Sequence, residues 1–234
     1  MKKGFTLVEL SIVLVIIGLL IGGILVGLSL IETAKINALI RQIQQYDIAV
    51  SSFKSKYKGL PGDNNKFSPK GNSNNKVDCT GFCFVQDFAG APEMANFWKH
   101  LSNSGFSPNG VSYSNVSASS IVPGIHVPKI DFKSSSIKGG VVVFDNIYYI
   151  AGFSTFSNSV SKYSPVFKPA QAMAIDYKLD DGKVTTGSVL GSTHGASILW
   201  SGQDCSATIL TDYNVASDKE LCALQTPILS LASQ

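Results

Sequence analysis

The sequence predicts an α+β protein: a long N-terminal transmembrane and stem α-helix packed on a globular domain with an antiparallel β-sheet. Three observations predict it. Leu10 to Ile31 is a run of 22 residues with no charge and no proline, long enough as a helix to cross a hydrocarbon core of about 30 Å. An apolar stripe at helical spacing follows it. Beyond Pro61, short helix-like and strand-like segments alternate with loops rich in Asn, Ser and Gly.

The composition shows where the apolar residues must sit. Only 15% of the 234 residues are charged, below the roughly 25% of an average soluble domain. Yet 44% are hydrophobic, so the apolar content is concentrated, and it is concentrated at the N-terminus. Residues 1–58 carry seven basic and three acidic side chains, and residues 59–234 carry twelve and thirteen. The globular part is therefore almost neutral. It lacks the basic excess that a phosphate backbone demands, so no dedicated nucleic-acid binding is expected, although a local lysine patch is compatible with the count.

The apolar run continues into Ile31-Glu32-Thr33 without a small-residue cleavage site, unlike a secretory signal, so the span should stay with the mature protein. Lys2 and Lys3 precede it, and the positive-inside tendency places that end in the cytoplasm and the bulk of the chain outside. Glu9 is the feature an anchor does not explain. It lies about one turn inside the apolar segment, where an ionised carboxylate costs at least ~2.5 kcal/mol at depth unless it finds a partner. The bland alternative is a glutamate that snorkels to the interface.

Lys2-Lys3-Gly4-Phe5-Thr6-Leu7-Val8-Glu9-Leu10, followed by the apolar run, resembles the class III signal of type IV pilins and type II secretion pseudopilins. The resemblance implies a pilin-like fold, cleavage of the Gly4–Phe5 bond by a prepilin peptidase and N-methylation of Phe5, with the span retained. It also gives Glu9 a partner, the N-terminal amine of a neighbouring subunit. Pairing two groups that each lose solvation would couple their neutralisation to assembly. Three further stretches are similar to segments of larger prepilin-like proteins: residues 57–63 (Tyr-Lys-Gly-Leu-Pro-Gly-Asp), 96–101 (Asn-Phe-Trp-Lys-His-Leu) and 174–182 (Ala-Ile-Asp-Tyr-Lys-Leu-Asp-Asp-Gly). The Tyr-Pro-Thr-Thr-Glu-Gln-Gly-Leu stretch of the major type II pseudopilin is absent.

Gly18/Gly22 and Gly23/Gly27 are each four residues apart within the span. Such spacing suits close helix approach, and glycine is also simply commoner in membrane helices. Past Glu32, Ile36, Leu39, Ile43, Tyr46, Val50, Phe53 and Tyr57 recur every three or four residues, one face of a helix. With no proline before Pro61, residues 5–58 read as one helix of about 80 Å, ended by Leu60-Pro61-Gly62-Asp63. A parallel coiled coil is the alternative, but the aromatics favour packing on a sheet.

This divides the chain into a leader at 1–4, the N-terminal helix at 5–58 (span about 10–31, stem 32–58) and a globular domain at 59–234. Within the domain, residues 63–76 and 102–120 read as loops. Pro92 opens a short amphipathic helix carrying Met94, Phe97, Trp98 and Leu101, closed by Gly105. Val141–Phe144 and Ile147–Ile150 flank Asp145-Asn146 as a hairpin. A helix over 168–181 has Pro169 in its first turn and Gly182 as its stop. Val184–Leu190 and Ala196–Trp200 are further strand candidates.

Cys79, Cys83, Cys205 and Cys222 would lie on the outer face of the membrane, where two disulfides are expected. Four cysteines allow three connectivities. Pairing 79–83 with 205–222 is expected, the second resembling the disulfide-bounded C-terminal loop of many pilins. A zinc site lacks paired C-x-x-C spacing. His100, His126 and His194 are dispersed, and no G-x-S-x-G elbow frames Ser192 and His194, so an enzyme is not expected. Asp176, Asp180 and Asp181 form the one carboxylate cluster, with the first two on one helix face. They read as a helix end and turn, with Ca²⁺ as the weaker alternative and no other cofactor expected.

The expectation is a single-pass protein of a bacterial inner membrane, N-terminus cytoplasmic and C-terminal domain periplasmic. It would be processed by prepilin peptidase, handled by an inner-membrane assembly platform and packed with other pilin or pseudopilin subunits into a pilus or pseudopilus. The alternatives are a minor tip pilin or adhesin, and a membrane-tethered binding or enzymatic domain that never polymerises.

Overall fold

Leucine, isoleucine and valine dominate the first thirty residues and no proline interrupts the next thirty, so the backbone has no reason to leave the helix. In the computed structural model, helix α1 runs unbroken from Leu7 to Tyr57, 51 residues. The structure describes residues 6–78, 92–110, 112–114, 122–133, 138–153, 163–192, 205–206 and 212–229. Its end differs from expectation. Tyr57 is the last helical residue and Lys58 takes a left-handed conformation at φ 57°, its N–H donating to the Lys54 carbonyl at 2.9 Å. The backbone thus turns before the Leu60-Pro61-Gly62-Asp63 stretch is reached.

By its contacts the chain divides into two units, Met1–Ala38 and Leu39–Gln234. In the first unit the apolar run has no partner among the described residues, and Leu10, Leu14, Leu19 and Leu25 are all exposed. In the second, Leu39, Ile43, Tyr46, Val50 and Phe53 are buried, which makes this face core rather than a coiled-coil seam.

The rest of the second unit is built on α2 (Pro92–Asn103), strands β1 (Lys129–Lys133), β2 (Lys138–Phe144), β3 (Ile147–Phe153) and β4 (Tyr163–Ser164), α3 (Pro169–Leu179), β5 (Leu190–Ser192) and β6 (Ala223–Pro227). Among the described residues these strands pair antiparallel, in the order β1-β2-β3-β6-β5, with β4 joined to the end of β3. The β2–β3 turn is Asp145-Asn146, both left-handed at φ 52° and 61°, which matches the twist of a two-residue hairpin. Tyr46 of α1, Trp98 of α2 and Tyr148 of β3 meet at the centre, with Tyr46 and Trp98 edge to face at 4.7 Å.

Several segments correct the sequence reading. Ser102 and Asn103 continue α2 instead of starting a loop. Val184–Val189 is turn and bend, and the strand is only Leu190–Ser192, because the loop there is gathered by side-chain carboxylates rather than by a neighbouring strand. Strand β6, which lies between β3 and β5, was not anticipated. The Ala196–Trp200 candidate lies outside the described residues.

Candidate processing and assembly site

Thr6-Leu7-Val8-Glu9 has the T-x-x-E pattern of a capping box, and the structure forms one. The Thr6 N–H and hydroxyl each donate to Glu9 Oε2 at 2.8 Å, and the Glu9 N–H donates to Thr6 Oγ1 at 3.3 Å. Glu9 therefore satisfies donors at the start of its own helix. That role was legible in the sequence and was missed there. Its Oε1 makes no hydrogen bond among the described residues, so the carboxylate keeps an open side. Gly4 and Phe5 lie outside the described residues. A Cβ at Gly18, Gly22, Gly23 or Gly27 would meet nothing within 4 Å, so nothing in the first unit uses their small size.

Polar residues in the second unit do structural work instead. Asp63 is buried and accepts the N–H groups of Asn74 and Asn75 at 3.0 and 2.8 Å. Glu93, also buried, accepts those of Asn72 and Asp78 at 2.8 and 3.1 Å, and burial pushes its carboxyl up to about 7. His100 accepts the Gly62 N–H at Nδ1, 2.9 Å, which leaves Nε2 to donate to the Pro69 carbonyl at 2.8 Å. Burial pushes its imidazole down, the same direction that the use of Nδ1 as an acceptor favours. Gly62 has φ +84°, and a Cβ there would strike the Glu93 carbonyl, which is why Leu-Pro-Gly-Asp needs its glycine. These groups hold the 62–78 loop against α2.

On α1, Asp47 Oδ1 accepts the Leu229 N–H at 3.1 Å, while Oδ2 is buried without a hydrogen bond among the described residues, beside the Tyr148 hydroxyl. Burial pushes Asp47 up to about 6. Neither this contact nor the His100 clamp had a signal in sequence spacing, since each joins residues distant along the chain.

Asp176, Asp180 and Asp181 come together, with one oxygen from each within 4.8 Å of the others. Asp176 is buried and accepts the Tyr213 hydroxyl at 2.8 Å and the Gly182 N–H at 3.2 Å, and burial pushes it up to about 6. Asp180 accepts the N–H groups of Ser188 and Val189, and Asp181 those of Lys183 and the Thr186 hydroxyl. The carboxylates thus fold the loop after α3 through protein donors. The cluster stands at the end of α3 and in the turn that follows it.

A disulfide joins Cys205 to Cys222, with Cα atoms 5.1 Å apart, and Cys222 leads directly into β6. Cys79 and Cys83 lie outside the described residues. Ser192 is buried in β5, and His194 also lies outside them.

An exposed apolar helix ahead of an α+β domain with an antiparallel sheet is the pilin-like architecture. The family model of the prokaryotic N-terminal methylation motif matches residues 1–25, and this is the prepilin signal of type IV pilins and pseudopilins. No curated protein and no solved structure matches the chain significantly. The signal, together with the single N-terminal apolar helix, fits anchoring in the inner membrane.

Proposed function

We propose that the chain is a prepilin-like structural subunit, inserted with its N-terminus in the cytoplasm and its second unit on the far side of the membrane. Prepilin peptidase cuts the Gly4–Phe5 bond and Phe5 is methylated. The subunit is then passed by an inner-membrane assembly platform into a type IV pilus or type II secretion pseudopilus. Its work is mechanical, not catalytic, and no metal or other cofactor takes part. The observation that carries this reading is the methylation motif at residues 1–25, with Glu9 as the only charge between Lys3 and Glu32. An exposed apolar helix supports it, since such a surface requires lipid or other helices.

The test co-expresses the full chain with a prepilin peptidase and its assembly system. The N-terminus is read by mass spectrometry, and sheared filaments are assayed for the subunit. Loss of residues 1–4, the added mass of one methyl group and recovery in filaments are expected. Glu9→Gln keeps a capping-box acceptor but removes the charge, so it should be cleaved and still fail to enter filaments. Glu9→Gln incorporation at the wild-type level would reduce Glu9 to a helix cap. An uncut wild-type chain would leave a tethered domain.

A further inference from the structure

Glu93 stands in the first turn of α2, and residues 72–78 are gathered around its carboxyl. Its Oε1 accepts the Asn72 N–H at 2.8 Å and its Oε2 the Asp78 N–H at 3.1 Å. The Asp78 carboxyl belongs to the same knot. Its Oδ1 accepts the side-chain amide of Asn72 at 3.3 Å and its Oδ2 that of Asn74 at 2.7 Å. Asn72 thus spans the two acids, by its main chain to Glu93 and by its side chain to Asp78, and Glu93 is only 3% exposed. No ion pair joins either acid to a described residue. Of the other charged groups that face the knot, Asp63 of the same loop adds a further carboxyl beside Asp78, and Lys76 is drawn to Asp145 of the β2–β3 turn at 2.8 Å. On α2 itself, His100 is taken up by Gly62 and Pro69.

Two carboxylates in one site, one of them buried, cannot both ionise without cost, so the closed loop favours a single proton held on the pair. The N-terminus of α2 and the two backbone N–H groups favour an ionised Glu93, but burial and the facing Asp78 prevail: Glu93 is pushed up to about 7, while Asp78 is pulled below its ordinary range. Lifting the segment into water returns Glu93 to the ordinary carboxylate range, and the proton leaves. Closing therefore takes up a proton and weakens as pH rises through the folded value. The other end of the loop has a different fastening. Gly62 and Pro69 are held by the His100 ring and involve neither acid.

We infer that residues 72–78 form a proton-dependent latch, closed on α2 while Glu93 and Asp78 share one proton and released when that proton is lost, with 62–69 still clamped by His100. The test follows hydrogen–deuterium exchange of the full chain in neutral detergent by mass spectrometry at pH 6 and pH 8, with labelling times scaled for the intrinsic exchange rate. Protection of peptides covering 70–78 is expected to fall about tenfold, the ratio for a group at about 7 when closed and in its ordinary range when open. Peptides covering 59–66 and the β2–β3 hairpin should change less. Glu93→Gln keeps an acceptor for one N–H but cannot ionise, so its 70–78 protection should be the same at both pH values. Asp78→Asn removes the facing charge at a half-buried position and should shrink the fall below that of wild type, which keeps the test decisive if Glu93→Gln does not fold. The inference is overturned if wild type shows no fall, or if either variant retains the wild-type fall. It is equally overturned if 59–66 and the hairpin lose protection as much as 70–78 does, since that is a loss of global stability.

Discussion

Asp47, Glu93 and Asp176 are carboxyls whose burial raises them to about 6, 7 and 6, well above their unfolded values. A raised carboxyl contributes stability that is fully present below its unfolded pKa and is lost as pH rises through the folded value. These three groups should therefore make the second unit more stable near pH 5 than near pH 8. His100 acts in the opposite sense. Its lowered imidazole contributes stability present above the unfolded value of 6.5 and lost as pH falls through the folded one. Asp47→Asn keeps an acceptor for the Leu229 N–H but cannot ionise, so it should flatten the decline between pH 5 and 8. Thermal melts of both proteins in neutral detergent check this, and parallel pH profiles would refute it. His100→Ala removes a buried ring that satisfies Gly62 and Pro69, and should cost roughly 3 kcal/mol in denaturant unfolding.

At the scale of elements, two fastenings hold the sheet. The Asp145-Asn146 turn reaches beyond its own hairpin: Asn146 Oδ1 accepts the Val77 N–H at 3.0 Å, its Nδ2 donates to the Asn75 carbonyl at 3.3 Å, and Lys76 pairs with Asp145 at 2.8 Å. Asn146→Ala loses those bonds and places alanine at φ 61°, so a cost of about 2 kcal/mol is expected, while Asn146→Gly should recover part of it. The Cys205–Cys222 disulfide ties the 205–206 segment to the entrance of β6, which runs between β3 and β5. Cys205→Ser/Cys222→Ser should cost about 3 kcal/mol by loop-closure entropy. It should also raise amide exchange in β6 more than in β2. Equal exchange in the two strands would show that the bond does not guard the sheet's interior.

For the whole molecule, the two units differ in what they need. The second buries its own aromatic and aliphatic side chains around Trp98, Tyr148, Phe53 and Phe97. The first exposes the large apolar residues of its 10–31 run on every side. A chain lacking residues 1–31 should therefore leave the membrane fraction and keep cooperative unfolding with near-UV circular dichroism. Fractionation followed by a thermal melt reads both. A truncated chain that aggregates without a melting transition would mean that the second unit depends on the apolar helix.

The sequence by itself determined the elements whose signal is local: the unbroken apolar run, the stem stripe at three- and four-residue spacing, the Asp145-Asn146 turn, the helices opened by Pro92 and Pro169, and the methylation motif. Periodicity, turn chemistry and N-terminal prolines act over a few residues, so one strand of text carries them. What only the tertiary structure decided depends on residues remote in the chain. Ala223-Leu-Gln-Thr-Pro has neither alternation nor β-branched enrichment, and becomes a strand because β3 and β5 offer it hydrogen bonds on both sides. Glu93 and His100 acquired their roles from a loop some twenty to forty residues earlier. Asp63 turns inward to hold the backbone of Asn74 and Asn75, and Phe67 folds back onto Tyr57, and neither contact is announced by spacing. Local signals are read along the chain, whereas these contacts are set by which remote residues the fold brings together.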